Sequence, residues 1–84
     1  QTTITYSLPV NSNVSLKIYS VTGQLVRTLS EGEKVSGRHI MLWDGMNDHG
    51  NSIGSGVYFC RLQATPRGGA FNGIVQTKKL LLLR

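Results

Sequence analysis

The chain has 84 residues, a formal net charge of +5 and a charged fraction of only 15%. A chain this short buries about 60–65% of its unfolded surface in a single core, so we predict one small domain over residues 1–84. Its basic residues are scattered singly except for Lys78 and Lys79, and no stretch interleaves them with aromatic residues as a single-strand binding face does. This pattern predicts a diffuse basic surface and no nucleic-acid partner.

The composition indicates an all-β chain, because helix-forming Ala, Glu and Lys are scarce relative to Val, Ile, Thr and Leu. Cys60 is the only cysteine, which excludes an intrachain disulfide and a two-cysteine metal site, and we expect it to be a small buried hydrophobe. The chain begins at Gln1 without a signal peptide, so we interpret it as a domain of a longer protein. Residues 80–83 are too few to span a bilayer.

Period-two alternation predicts the first strands. Residues 2–8 place Ile4, Tyr6 and Leu8 on one face, Pro9 ends this strand, and residues 11–13 are interpreted as a turn. Residues 14–19 form a second alternating strand. Thr22-Gly23-Gln24 predicts a tight reversal, with glycine taking the positive φ that such turns require.

The middle of the chain is harder to interpret. Residues 25–29 also fit a helical stripe, but the preceding turn chemistry favours a strand. Residues 31–34 are interpreted as a charged connection, and Gly37 opens a strand over residues 38–43. That strand carries apolar residues on both faces (Ile40 and Leu42 against Met41 and Trp43), so we expect it near the centre of a packed sandwich.

Residues 44–56 form a long glycine-punctuated loop that leads into a strand over residues 57–64. Tyr58, Cys60, Leu62 and Ala64 share one side of this strand. Residues 66–69 predict a further hairpin connection, and the last strand runs from about residue 73 to 84. About seven short strands with frequent turn signals predict an immunoglobulin-like, two-sheet antiparallel β-sandwich.

Few residues could carry catalysis, since the chain has four acids and two histidines. Asp44 and Asp48 lie on one loop, where a paired-carboxylate site is conceivable. The neighbouring His49 need not point the same way, and nothing in the spacing supports a nucleophile triad built on Cys60. We therefore predict no catalytic residue, no cofactor and no enzymatic activity.

The oxygen-rich run from residue 44 to 51 admits two interpretations. Calcium binds carboxylate and carbonyl oxygens, but Met46 occupies a position where an EF-hand loop has a ligand, and no glutamate closes the loop. Asp and Asn side chains also cap turns by accepting bonds from backbone amides two residues on. We favour this second interpretation, with Asp44, Asn47 and Asp48 as the capping residues, and predict no bound metal, with the cation left as an alternative.

The aromatic residues raise a carbohydrate-binding alternative. Trp43 on its strand could act as a platform on which a sugar stacks. Sugar-binding modules usually expose several coplanar aromatics, whereas Tyr6, Tyr58 and Trp43 all have apolar strand neighbours. We expect all three in the core, with Trp43 beneath the strand that carries Tyr58.

One ordered set of motifs extends through nearly the whole chain. In chain order its pieces are residues 3–9 (TITYSLP), 14–19 (VSLKIY), 22–26 (TGQLV), 37–39 (GRH), 43–45 (WDG), Gly50, 55–59 (SGVYF) and 77–80 (TKKL). This set resembles the immunoglobulin-like domain of the flagellar hook-capping protein. It resembles more closely the type A C-terminal sorting domain of type IX secretion cargo.

The resemblance implies a non-catalytic domain at the C-terminus of a larger secreted or surface protein, often a hydrolase. It implies recognition by type IX outer-membrane components and export across the outer membrane. The alternative is a structural or carbohydrate-binding accessory module like that of the hook cap. The residues that match the secretion-signal motif are Gly56, Val57, Tyr58, Lys78, Lys79, Leu80, Leu81, Leu82 and Leu83, and those of the structural loop motif are Trp43, Asp44, Gly45, Asp48 and Gly50.

The terminal leucines suggest how such recognition could work. Four successive leucines cover both faces of a strand, so one pair can fill the core while the other stays available to a partner. The two lysines before them would protect a last strand from random edge pairing. The alternative is a closing strand that is buried on both sides.

Overall fold

The computed structural model describes residues 2–69 and 73–83. Within these ranges the chain forms six strands and a short 3-10 turn at Arg67–Gly69. The strands are β1 (Thr2–Leu8), β2 (Ser12–Ser20), β3 (Leu25–Lys34), β4 (Gly37–Trp43), β5 (Gly56–Pro66) and β6 (Ile74–Leu82). No helix in these ranges is long and apolar enough to cross a membrane.

The strands form two antiparallel sheets. One sheet contains β1 and β4, and the other has four strands in the order β3-β2-β5-β6. The predicted all-β, two-sheet fold is therefore confirmed, with six described strands in place of about seven. β3 and β6 are the two edge strands of the larger sheet.

The core lies between the two sheets, where the inward residues of each strand meet. Ile4, Tyr6 and Leu8 of β1 are buried, as their alternation predicted. From the larger sheet, β2 and β5 contribute alternate residues because their side chains point to opposite faces in turn. The remaining buried apolar residues are Val14, Leu16, Ile18, Trp43, Cys60, Leu62, Ala64 and Leu82.

Two boundaries differ from the sequence interpretation. Ser12 and Asn13 belong to β2 and not to a turn, and Ser12 is only 1% exposed, with its hydroxyl donating to the Val10 carbonyl at 2.9 Å. Residues 31–34 continue β3 and pair with residues 12–15 of β2. Charged residues can occupy this strand because their backbone groups form hydrogen bonds with β2.

The expectation for β4 was wrong in one respect. β4 pairs only with β1, and Ile40 and Leu42 are 61% and 59% exposed. Their face of the two-stranded sheet points away from the core, and no described element covers it. The opposite face behaves as expected, since Trp43 is fully buried and Met41 packs against the core.

Other predictions are confirmed. Gly23 takes φ 88° in the reversal after β2, where its amide donates to the Ser20 carbonyl at 3.0 Å. Residues 25–29 are strand and not helix. The last strand starts one residue after Gly73 and ends at Leu82, while Arg84 lies outside the described residues.

Candidate functional site

The candidate site begins at Trp43, the last residue of β4. Its side chain has no exposed surface, and its ring meets that of Tyr58 edge-on, with centroids 5.6 Å apart and planes at 75°. The indole N–H donates to the Met46 carbonyl at 3.0 Å, which supplies the partner that a buried indole needs. Trp43 therefore cannot stack on a sugar, and the prediction that it lies beneath the strand of Tyr58 is confirmed.

Residues 44–55, here called the Trp43 loop, are held by turn-capping side chains. The Asp44 carboxylate accepts from the Met46 amide at 3.0 Å, and the Asn47 side chain accepts from the His49 and Asn51 amides at 3.0 Å. These bonds confirm the predicted capping by Asp44 and Asn47. Gly45 and Gly50 lie at positive φ of 77° and 81°, a backbone conformation that favours glycine at these two motif positions.

Asp48 works differently from the prediction. Its carboxylate accepts from the amide of Thr28 at 2.9 Å, and its own amide donates to the Val26 carbonyl at 3.0 Å. Both partners lie on β3, so Asp48 occupies the place of a residue in a neighbouring strand. Because β3 is an edge strand, this contact covers backbone groups that would otherwise be open to another chain.

Arg27 is the residue of this site that sequence reasoning missed. Its guanidinium lies 3.3 Å from the Asp44 carboxylate and 3.8 Å from that of Asp48, and it donates to the carbonyls of Met46 at 3.2 Å and Asn47 at 3.5 Å. Two acids close together on one loop are stabilised by a nearby cation, and their proximity was the available signal. The guanidinium occupies the position where a cation would compensate the two carboxylates.

The structure brings together the two halves of the predicted secretion-signal motif. In the ladder between β5 and β6, Gly56 pairs with Leu82, Val57 with Leu81 and Tyr58 with Leu80. The next two pairs along this ladder join Phe59 with Lys79 and Cys60 with Lys78. Residues that are about twenty positions apart in the chain therefore form one continuous ladder at the edge of the larger sheet, with successive pairs pointing to opposite faces.

The terminal leucines alternate between the two faces of β6, as predicted. Leu82 is 3% exposed and Leu80 packs against the core, whereas Leu81 and Leu83 are 60% and 75% exposed. Lys78 and Lys79 are both exposed. The alternative of a strand buried on both sides is therefore wrong, because Leu81 is exposed on this outermost strand and Leu83 is exposed directly after it.

Cys60 lies on β5, and its side chain belongs to the core. It is 4% exposed, and burial raises the pKa of its thiol to about 11, with the nearby Lys78 charge lowering it in part. A buried neutral thiol at neutral pH is neither a nucleophile nor a metal ligand. Among residues 2–69 and 73–83, no group of three His, Cys, Asp or Glu side chains could hold a metal ion.

Two antiparallel sheets packed face to face around a buried tryptophan define an immunoglobulin-like β-sandwich. Residues 1–68 match the FlgD Ig-like domain family, and the chain belongs to this family. Among solved structures, it is similar to FlgD from P. aeruginosa, with a TM-score of 0.69 and 28% identity over 94% of this chain. The chain spans only 55% of that protein.

These comparisons bear differently on the two halves of the resemblance. They confirm the relation to the hook-capping protein FlgD and give no support to the type IX sorting domain. The family match ends at residue 68, before β6 begins. No curated protein matches the chain significantly.

Proposed function

We propose that this chain is a non-catalytic structural module of a larger protein, as its membership of the FlgD Ig-like family suggests. The observation that carries the proposal is the family match over residues 1–68. The contacts of the two loop acids support the non-catalytic role, because Arg27 and backbone amides already bind the carboxylates of Asp44 and Asp48. A paired-carboxylate reaction would require both groups to be free to face a substrate.

The test deletes this domain from the full-length protein. We expect the turnover number of any catalytic remainder to be unchanged per folded molecule, while assembly or thermal stability falls. Sedimentation velocity and calorimetry measure the second effect separately from the first. A fall in turnover number while the remainder stays folded and correctly assembled would overturn the proposal.

A second candidate function is that of an export signal, and the exposed edge of β6 favours this function. Leu81 on the outermost strand and Leu83 directly after its end present apolar side chains where a receptor can add a strand of its own. In this proposal the partners are type IX outer-membrane components, and the cargo is a secreted protein joined upstream. The destination is the cell surface or the medium.

The export proposal is tested with a reporter fused to residues 1–84 in a host that has the type IX machinery. We expect deletion of residues 80–84 to abolish export, and Leu81→Thr with Leu83→Thr to reduce it without unfolding the domain. Val75→Thr is the matched control, because Val75 is 58% exposed at the other end of the same strand. Export of the folded double variant at the wild-type rate would show that the outward leucines have no recognition role.

A further inference from the structure

The outer face of the larger sheet gathers residues that the sequence scatters. Across β2, β5 and β6, Tyr19 lies opposite Phe59, and Phe59 lies opposite Lys79. In the next row, Lys17 lies opposite Arg61, and Arg61 opposite Thr77. These six residues, here called the basic-aromatic rows, alternate rings with cations in a way that becomes visible only when the strands are in register.

The surface at these rows is concave. A shallow depression of about 400 Å³ is lined by Tyr19, Phe59, Arg61 and Thr77, among others. A second depression of about 470 Å³ follows on the same face, lined in part by Ser15 and Gln63, and Val75 lines both. The two together form a trough along the sheet that suits an extended polymer better than a compact molecule.

The charge in the first depression is positive, whereas the acid Glu31 lines the second. Among residues 2–69 and 73–83, the cations Lys17, Arg61 and Lys79 form no ion pair. On β3, Leu25 and Thr28 occupy the positions beside these rows, and the first acid, Glu31, lies beside Ser15 in the following row. Arg61 lines the first depression, and the strand register places Lys17 beside Arg61 and Lys79 beside Phe59 at its margin. Unpaired cations around a concave surface raise the local concentration of an anionic partner.

We propose that the basic-aromatic rows bind an acidic polysaccharide. The Tyr19 and Phe59 rings are half-buried and offer flat apolar surfaces against which the C–H face of a sugar ring packs. Lys17, Arg61 and Lys79 pair with its carboxylates. The inference gives a ligand to the proposed accessory role and rests on that role only for its context.

Other features of the face favour a polysaccharide over a single-stranded nucleic acid. The trough continues into Ser15 and Gln63, whose hydroxyl and amide groups can hydrogen-bond the many hydroxyls of a sugar chain.

The test titrates the 84-residue chain with polygalacturonate by calorimetry. We expect saturable binding that weakens with added salt, and no binding to the fully methyl-esterified polymer, which keeps the sugar rings but lacks the charge. The triple variant Lys17→Gln, Arg61→Gln, Lys79→Gln should bind about tenfold more weakly, the combined effect of three exposed charge pairs. Phe59→Thr should weaken binding about fivefold with no change in charge.

A matched triple variant, Lys34→Gln, Arg38→Gln, Arg67→Gln, removes the same number of charges away from these rows and should bind as the wild type does. Urea unfolding, followed by Trp43 fluorescence, verifies that each variant is folded. If a triple variant does not fold, the single variant Lys17→Gln takes its place. Equal losses in the two triple variants, an unchanged affinity in Phe59→Thr, or tighter binding of a single-stranded oligothymidylate would overturn the proposal. So would an absence of binding, which leaves the accessory role standing because its test measures turnover and assembly.

Discussion

The guanidinium of Arg27 lies 3.3 Å from the carboxylate of Asp44, although the two residues belong to opposite sides of the sandwich. Arg27 is on β3 of the larger sheet, and Asp44 follows β4 of the smaller one. The contact therefore ties the Trp43 loop to the edge of the opposite sheet. With Asp48 bound to the backbone of β3, it closes one side of the core around Trp43.

We expect Arg27→Met to destabilise the domain by about 1–2 kcal/mol. The change removes charge-assisted bonds to the loop and leaves the carboxylates of Asp44 and Asp48 without a cation. The side chain of Arg27 is 29% exposed, so solvent screening keeps the loss moderate. Urea unfolding monitored by fluorescence measures it.

Arg38→Met is the matched control, because Arg38 is exposed on β4 and bonds to none of the loop residues. It should change the free energy of unfolding by no more than about 0.5 kcal/mol. Equal losses of stability in the two variants would mean that Arg27 acts only through its positive charge and that its bonds to the loop do not stabilise the domain.

The Trp43 loop should hold its structure without calcium. A bound cation would have to displace the Arg27 guanidinium from Asp44 and Asp48, whose oxygens also serve backbone amides. We expect millimolar calcium to leave the melting temperature unchanged relative to sodium chloride at equal ionic strength. A specific ligand at about a hundred times its dissociation constant would add about 2.7 kcal/mol, which calorimetry resolves as a clear, calcium-specific rise.

Trp43→Ala should cost about 3–5 kcal/mol, because it leaves a cavity beneath Tyr58 and removes one of the two donors to the Met46 carbonyl, the other being Arg27. An 84-residue domain has a total stability of the same order, so the variant can unfold outright. Trp43→Phe keeps most of the ring volume and should retain the fold with a smaller loss. Acrylamide should quench the native fluorescence weakly, and efficient quenching would contradict the buried position.

The positions of the strands could be predicted, because a strand is marked by apolar and polar residues that alternate along its own segment. Ile4, Tyr6 and Leu8 recur at every second position, and such a pattern needs one buried face whichever strand lies beside it. The turn at Gly23 was equally local. The Trp43 loop could be predicted in part, since Asp44 and Asn47 cap amides a few residues away in their own segment.

Features that depend on pairing between strands could not be predicted in this way. Ile40 and Leu42 have the apolarity of buried residues, and only the absence of a third described strand beside β4 exposes them. Arg27 and Asp48 meet because β3 passes the loop at one particular register. The grouping of Phe59 with Tyr19 and Lys79 also arises from register, which single-strand patterns do not contain.

Tyr6→Phe should leave stability unchanged or raise it by up to about 1 kcal/mol. The Tyr6 hydroxyl is buried and makes no hydrogen bond of good geometry within the described residues. Burial raises its pKa, and a weak hydrogen bond with the Ser30 side chain lowers it in part. Removing an unsatisfied buried group relieves its desolvation cost. The ring would keep its stacking on His39, whose centroid lies 5.1 Å away. Thermal unfolding measures the change, and a loss above 1 kcal/mol would reveal a partner for the hydroxyl in solution.

Stability should fall in alkaline solution partly because of Cys60. Its ordinary pKa of 9.0 rises to about 11 in the folded chain, so above pH 9 the unfolded state releases the thiol proton while the folded state still holds it. The free energy of unfolding therefore decreases between pH 9 and 11, by roughly 2–3 kcal/mol for this group alone. Below pH 9 the thiol is neutral in both states and adds no pH dependence.

Cys60→Ala isolates this effect, because every other titrating group is kept. We expect the difference in unfolding free energy between wild type and variant to be constant from pH 6 to about 8.5 and then to shrink toward pH 11, since only the wild type loses stability by this route. In parallel, a thiol reagent at pH 8 should label native Cys60 only as fast as the chain unfolds, because the thiol is 4% exposed. A constant difference across the whole range, or rapid labelling of the native chain, would show that Cys60 is more accessible than its packing indicates.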